Sequence, residues 1–243
     1  MTKDKKPEGL IKKAKKFLDN EDPKISIIRD IVWVAAVVGG VALILFLFSG
    51  TWPAVVTVES GSMEPNMNIG DIVFVSAEDR YGDMKTWTES IQAGYSPYGD
   101  RPDKSGEQVY GDVIIYRRNG NGDITPIIHR AIAWVEEGET ITLATTLGGQ
   151  QISYNYTAPS AGYVTKGDNN DFIDQVSVRL YDNTTGRHWG SEMISAPVKQ
   201  EWVIGKALFL IPLVGYVPLN IVPLAVIIVL ILLVQELWLR RKE

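Results

Sequence analysis

Two textures of hydrophobic pattern alternate along the chain. From Ile31 to Ser49 the sequence "IVWVAAVVGGVALILFLFS" is apolar and carries no charge. At about 1.5 Å per residue such a helix reaches roughly 28 Å, close to the thickness of a bilayer core. The run is longer than the ~7–15 residue apolar core of a signal peptide, and "FSGTWPA" lacks a small-x-small cleavage pattern. A retained transmembrane helix over 25–49 is therefore expected. A second apolar run, Ala207 to Val234, is broken by Pro212, Pro218 and Pro223. Its spanning part is expected at 218–238. Residues 206–217 then lie either at the membrane interface or against the folded domain.

Between the runs the pattern changes to short β-branched stretches separated by turns. "AVVTVES", "GDIVFVSA", "GDVIIYRR", "ITPIIHRAIAWVEEG", "ETITLATTL" and "GYVTKGDNND" read as strands, with "NGNGD" as a hairpin turn. "ETITLATTL" is expected to pair back on the preceding strand after Glu137-Gly138. Residues 77–108 are rich in Gly, Pro, Asp and Ser with no sustained period, which suggests a long surface insertion or lid. The fold expected is mainly β, a sandwich or barrel-like body with turns every 8 to 12 residues. Before it, "GLIKKAKKFLDN" sets Leu10, Ile11, Ala14, Phe17 and Leu18 on one face among lysines. That pattern suits a helix on the inner membrane surface and equally a solvated basic tail.

Charge orients this plan. Nine Lys and Arg stand between Lys3 and Arg29, and Arg240, Arg241 and Lys242 follow the second run. The positive-inside rule puts both ends in the cytoplasm. The expected order is a cytoplasmic basic segment 1–24, a helix 25–49, an extracytoplasmic domain 50–205, a membrane-proximal segment 206–217, a helix 218–238 and a cytoplasmic tail 239–243. From Gly50 to Val203 the chain holds 21 Asp and Glu against 11 Lys and Arg, a difference of −10. An acidic exterior argues against nucleic acid as a partner. With no cysteine, neither disulfides nor thiolate metal sites are available. Sequons at Asn155 and Asn183 agree with an outside location without establishing it.

The residues able to do chemistry are few. His129 lies within an apolar strand and His188 in "TGRHWGS", where a loop position is expected. Two histidines without ligand spacing suggest no metal site, and no cofactor is expected. "SGSMEP", Ser60 to Pro65, is by itself an ordinary turn. Its company changes the picture. Gly70-Asp71 and Gly111-Asp112 open two strands, Ile128-His129-Arg130 lies in a third, and Thr165-Lys166-Gly167-Asp168-Asn169-Asn170 follows, with Asp171 and Asp174 beyond. Serine, histidine and carboxylate in one domain supply a nucleophile, a general base and an orienting acid.

In these boxes the chain resembles the type I signal peptidases of the archaeal and endoplasmic-reticulum kind. The likeness covers most of the chain but not 77–108, nor most of 137–161. It implies a β-rich domain with a hydrophobic face near the membrane, held between N- and C-terminal helices. The implied activity is removal of signal peptides from exported preproteins at the cell membrane, with the protein-export translocon as a further partner. Carried over by motif, Ser62 is the nucleophile and His129 the base, in the position where bacterial relatives use lysine. Asp174 is the implied acid, six residues past Asp168, which takes a supporting role or stands as the alternative acid. Asp171 is treated as a surface residue. Ser60 and the Ser62 N–H are the oxyanion donors. A non-catalytic membrane-anchored β domain that binds exported chains is the competing reading.

Overall fold

The computed structural model describes residues 9, 22–147, 149–181, 186, 188–223, 226–227, 229–231 and 235. The basic face over 10–20, the sequon at Asn183, much of the span at 218–238 and the tail lie outside them. The chain divides into two compact units, Met1–Phe48 and Ser49–Glu243. The first holds all but the last residue of helix α1, Pro23–Ser49. Proline suits the first helical position, where its missing N–H costs no bond. Residues 25–49 form the one helix among those described that is long and apolar enough to cross a membrane. Its large apolar side chains, Ile31, Val34 and Ile44 among them, are exposed.

The second unit is mainly β. Strands β1 (Val55–Thr57), β2 (Ile72–Ser76), β3 (Val113–Tyr116), β4 (Ile127–Val135), β7 (Gly162–Lys166) and β10 (Val203–Ile211) make one sheet. Their order is β1-β2-β10-β3-β4-β7, every neighbouring pair antiparallel. Strands β5 (Thr140–Leu147) and β6 (Gln150–Thr157) form a separate two-stranded ribbon, as do β8 (Val178–Tyr181) and β9 (His188–Ser191). Short helices α2 (Trp87–Ser90) and α3 (Tyr216–Leu219) lie in the same unit.

Two differences from the sequence reading, and one choice it leaves open, have physical causes. β5 pairs with β6 rather than with β4, because β7 occupies the β4 edge from Arg130 to Val135. Gly149, at φ +83, turns the chain so that Leu147 meets Gln150 in a tight hairpin. His188 is in strand β9, not a loop, since Tyr181 pairs with it. Of the two positions open to the segment after 205, its first half takes the domain. Lys206 to Ile211 pair with Ser76 to Ile72, and Phe209 stacks on Phe74 at 4.0 Å between ring centroids.

The core explains where the serine turn sits. Val58, Met63 and Met67 are buried with Val73 and Val75 of β2, Val113 and Ile115 of β3, and Ile204 and Ala207 of β10. Met63 thus anchors the turn by its side chain, and fully burying such a group is worth roughly 1.5–3 kcal/mol. A second cluster, with Ile132, Val135, Tyr156, Val164 and Ile173, joins β4 and β7 to the β5–β6 ribbon.

Candidate active site

Ser62 lies in a one-turn 3₁₀ helix, Gly61–Met63, separated from the end of β1 by three residues. Val58 exchanges backbone bonds with Asp71 and Gly70, which closes the turn onto the start of β2. From the other side Asn169 clamps it. The Asn169 N–H donates to the Ser62 carbonyl at 2.8 Å and its Nδ2 to the Gly61 carbonyl at 2.9 Å.

His129 is held by strand β4, in register with Ile114 of β3. Side chains alternate across a strand, so His129 and Arg130 leave on opposite faces. Asp174 follows β7 in a loop whose backbone is fixed twice. Its N–H donates to Thr165, and its carbonyl accepts from Ile194 and Ser195.

These elements bring Ser62, His129 and Asp174 into one line. His129 Nδ1 lies 2.6 Å from Asp174 Oδ2, and Nε2 lies 2.9 Å from Ser62 Oγ. A neutral imidazole protonated on Nδ1 satisfies both contacts, donating to the carboxylate and accepting from the serine hydroxyl. His129 is 3% exposed and Asp174 fully buried, so their bond is shielded from water, while Ser62 is half-buried. Ser60 Oγ sits 3.2 Å from Ser62 Oγ. The serine opens onto a groove of about 380 Å³. Val58, Met63, Ile127, Ile128 and Ile194 give it apolar walls, and Glu59 and Asn170 add polar groups.

Asp168 does not reach the imidazole. Its carboxylate takes Arg130 bidentately, Nε to Oδ1 at 2.9 Å and NH2 to Oδ2 at 2.8 Å, and accepts Asn66 Nδ2 at 2.8 Å. Asp171 is partly exposed and pairs with Lys104 at 3.0 Å. Of the three carboxylates the residues alone leave open, the structure brings Asp174 to His129. Among the described residues no cluster of three or more His, Asp or Glu side chains offers a metal-ligand set.

Several contributing residues were not picked out from the sequence. A Cβ on Gly167 would stand 2.5 Å from the Ser62 carbonyl and 2.9 Å from His129 Nε2, so the site closes only around a glycine there. Gly167, Asn169 and Arg130 belong to the recognised boxes, which was the one signal for them. Tyr116 and Thr165 are both buried against Asp174; Thr165 heads the last box without a role of its own, and Tyr116 lies in a strand whose apolar pattern gives no hint of a polar contact. Burial, and then the Asp174 charge, pushes the Tyr116 phenol well above its ordinary value, so it stays protonated and donates.

By geometry this is a β domain carrying a serine, an imidazole and a buried carboxylate at hydrogen-bond reach, the parts of a serine hydrolase site. No protein-family model matches the chain. It is similar to the signal peptidase complex catalytic subunit sec11 of Aspergillus oryzae, 29% identical over 173 residues, covering 71% of this chain and 68% of that protein. The SEC11 catalytic subunit of Paracoccidioides brasiliensis is 26% identical over 198 residues, with 81% and 74% covered. That of Schizophyllum commune is 29% identical over 172 residues, with 71% and 66% covered. The resemblance drawn from the boxes is matched by these relatives: the chain's homologues are signal peptidase catalytic subunits.

Proposed function

We propose that the chain is a membrane-anchored serine endopeptidase that removes signal peptides from exported preproteins. The observation that carries this reading is the line Asp174 Oδ2, His129, Ser62 Oγ, with contacts of 2.6 and 2.9 Å, opening on an apolar groove. The names of its relatives supply the substrate class.

Each residue then has a step. Ser62 Oγ attacks the scissile carbonyl carbon as its proton passes to His129 Nε2. Asp174 holds the imidazole with Nδ1 protonated and stabilises the imidazolium. The tetrahedral oxyanion takes the Ser62 N–H and the Ser60 hydroxyl, which already lies beside Ser62 Oγ. The C–N bond breaks as His129 returns the proton to the leaving amine. Water, deprotonated by His129, then cleaves the ester and frees Ser62. The substrate lies as an extended strand in the groove, between Thr57–Ser60 and Thr125–His129, with small side chains at the first and third positions before the cut.

The membrane plan belongs to the same proposal. Residues 25–49 and 218–238 span the cell membrane, with both termini cytoplasmic, the 50–205 region outside, and the translocon as neighbour. Exposed Leu213, Val214 and Val217 support a membrane-facing edge. They follow β10, where Gly215 donates to Gly70 beside the turn that leads to Ser62. The body closes as a sandwich or barrel-like β domain around the sheet. The binding-module alternative needs none of the three aligned side chains.

Cleavage of a membrane-embedded preprotein tests the reading. Ser62→Ala is expected to abolish it with the fold intact. Ser60→Ala is expected to slow it by up to roughly 10²–10³-fold, as loss of one oxyanion donor does. Full activity in Ser62→Ala would favour the binding module.

A further inference from the structure

The carboxylate behind His129 is loaded on one side. Three donors converge on Asp174 Oδ2: His129 Nδ1 at 2.6 Å, Thr165 Oγ1 at 2.6 Å and Tyr116 OH at 2.9 Å. Asp174 Oδ1 is equally buried and has no hydrogen-bond partner among the described residues. The proton directions follow from a fourth residue. Gln175 accepts the Thr165 N–H at 3.0 Å through its Oε1, which turns its Nε2 to donate to Thr165 Oγ1 at 3.2 Å. With that lone pair occupied, the Thr165 proton goes to Asp174. Tyr116 OH is 3.3 Å from Thr165 Oγ1 and its shorter contact is with Oδ2. All four side chains are at most 4% exposed, so these bonds are screened from bulk water.

We infer that Tyr116 and Thr165 are positioning residues for the proton transfer at His129. They lock the rotation of the Asp174 carboxylate and spread the charge of the oxygen that faces the imidazole. This rests on the peptidase reading above. Two hydroxyl donors weaken the pull of Oδ2 on the Nδ1 proton, so the imidazolium is stabilised less than by a bare carboxylate.

Other charges around the pair are engaged elsewhere. On β4, Arg130 is bound to Asp168. On β7, Lys166 is bound to Asp103 at 3.2 Å. On β10, Lys206 lies 4.0 Å from Asp112. Glu59 lines the groove on the Ser62 side, and Arg118 acts on Tyr116 from the end of β3.

The test is the pH profile of kcat/KM for preprotein cleavage in Tyr116→Phe, Thr165→Val and Thr165→Ser, with thermal midpoints measured alongside. In Tyr116→Phe and Thr165→Val the acid limb is expected to move up by about half to one pH unit, a rate loss of about three- to tenfold on the acid side of the limb and less at neutral pH. Thr165→Ser, which keeps the hydroxyl, should lie near the wild type. A purely structural role would lower the midpoint and leave the limb in place. If Tyr116→Phe does not fold, the Val and Ser variants at Thr165 decide the matter. Folded variants with an unshifted limb, in an enzyme whose cleavage needs Ser62, overturn this inference alone. Wild-type cleavage that survives Ser62→Ala overturns the peptidase reading and this inference with it.

Discussion

Gly167 shows how closely the site is built at the scale of single residues. The nearest atom to an added Cβ is the Ser62 carbonyl oxygen, part of the backbone, and a backbone group cannot swing aside as a side-chain tip does. Gly167→Ala is therefore expected to push Ser62 and His129 apart and cut turnover at least about tenfold, since small misplacements of reacting groups cost up to ~10² in rate. Turnover on a preprotein checks it. The two aspartates should separate in the same assay. Asp174→Asn keeps shape and fold but loses the charge behind the imidazole. The same change to the aspartate of a Ser-His-Asp triad in another serine protease costs about 10⁴ in rate, and a loss of that order is expected here. Asp168→Asn leaves Arg130 buried with half its ion pair gone. The Asp168 carboxylate binds that guanidinium and the Asn66 amide. Breaking a buried pair costs about 3–5 kcal/mol, and the three carbonyls that also accept from Arg130 put this case at the lower end. A fall of roughly 10 °C in thermal midpoint is expected for Asp168→Asn and none for Asp174→Asn.

Strand β4 carries this division at the scale of elements. One face presents His129 to Ser62, while the other presents Arg130 to the segment the sequence reads as an insertion or lid. That segment is stapled along its length. Lys206 donates to the Gly82 carbonyl at 2.5 Å, and Asp112 accepts the Lys85 N–H and the Tyr95 hydroxyl. Arg130 binds the carbonyls of Pro97, Tyr98 and Gly111. Asp103 ties its far end to Lys166 of β7. Burial alone would raise the Asp103 carboxyl, but the Ser105 hydroxyl, the Lys166 charge and the Glu107 N–H outweigh it and hold the group below the ordinary value. A depressed folded-state value stabilises the fold above the unfolded carboxyl's value, about 4, and that contribution fades as pH falls through the folded value. The midpoint gap between wild type and Asp103→Asn is thus expected to be full above about pH 5 and to shrink below about pH 4. Thermal melts across that range measure it. A gap that widens on acidification would count against the staple.

For the molecule as a whole, the proposed topology predicts protection. In sealed vesicles with the cytoplasmic face outward, protease should remove the basic N-terminal segment and leave the 50–205 region intact. Digestion of that region would reverse the orientation. Some of this plan depends only on neighbours along the chain and is legible in the sequence. An uncharged run long enough for a bilayer becomes α1, β-branched stretches become β1 to β4 and β7, and small residues around Ser62 become a turn. These features follow from local propensity and periodicity. The rest depends on contacts across long separations, which packing alone creates. Ser62 and His129 are 67 residues apart and His129 and Asp174 are 45 apart, so their line exists only once three elements pack. The same holds for β10 entering the middle of the sheet between β2 and β3, and for β7, not β5, taking the edge of β4. An apolar pattern tells a strand which face to bury but not which partner to join. Whether Asp168, Asp171 or Asp174 meets the imidazole is likewise a matter of geometry, because all three carry the same chemistry within seven residues of chain.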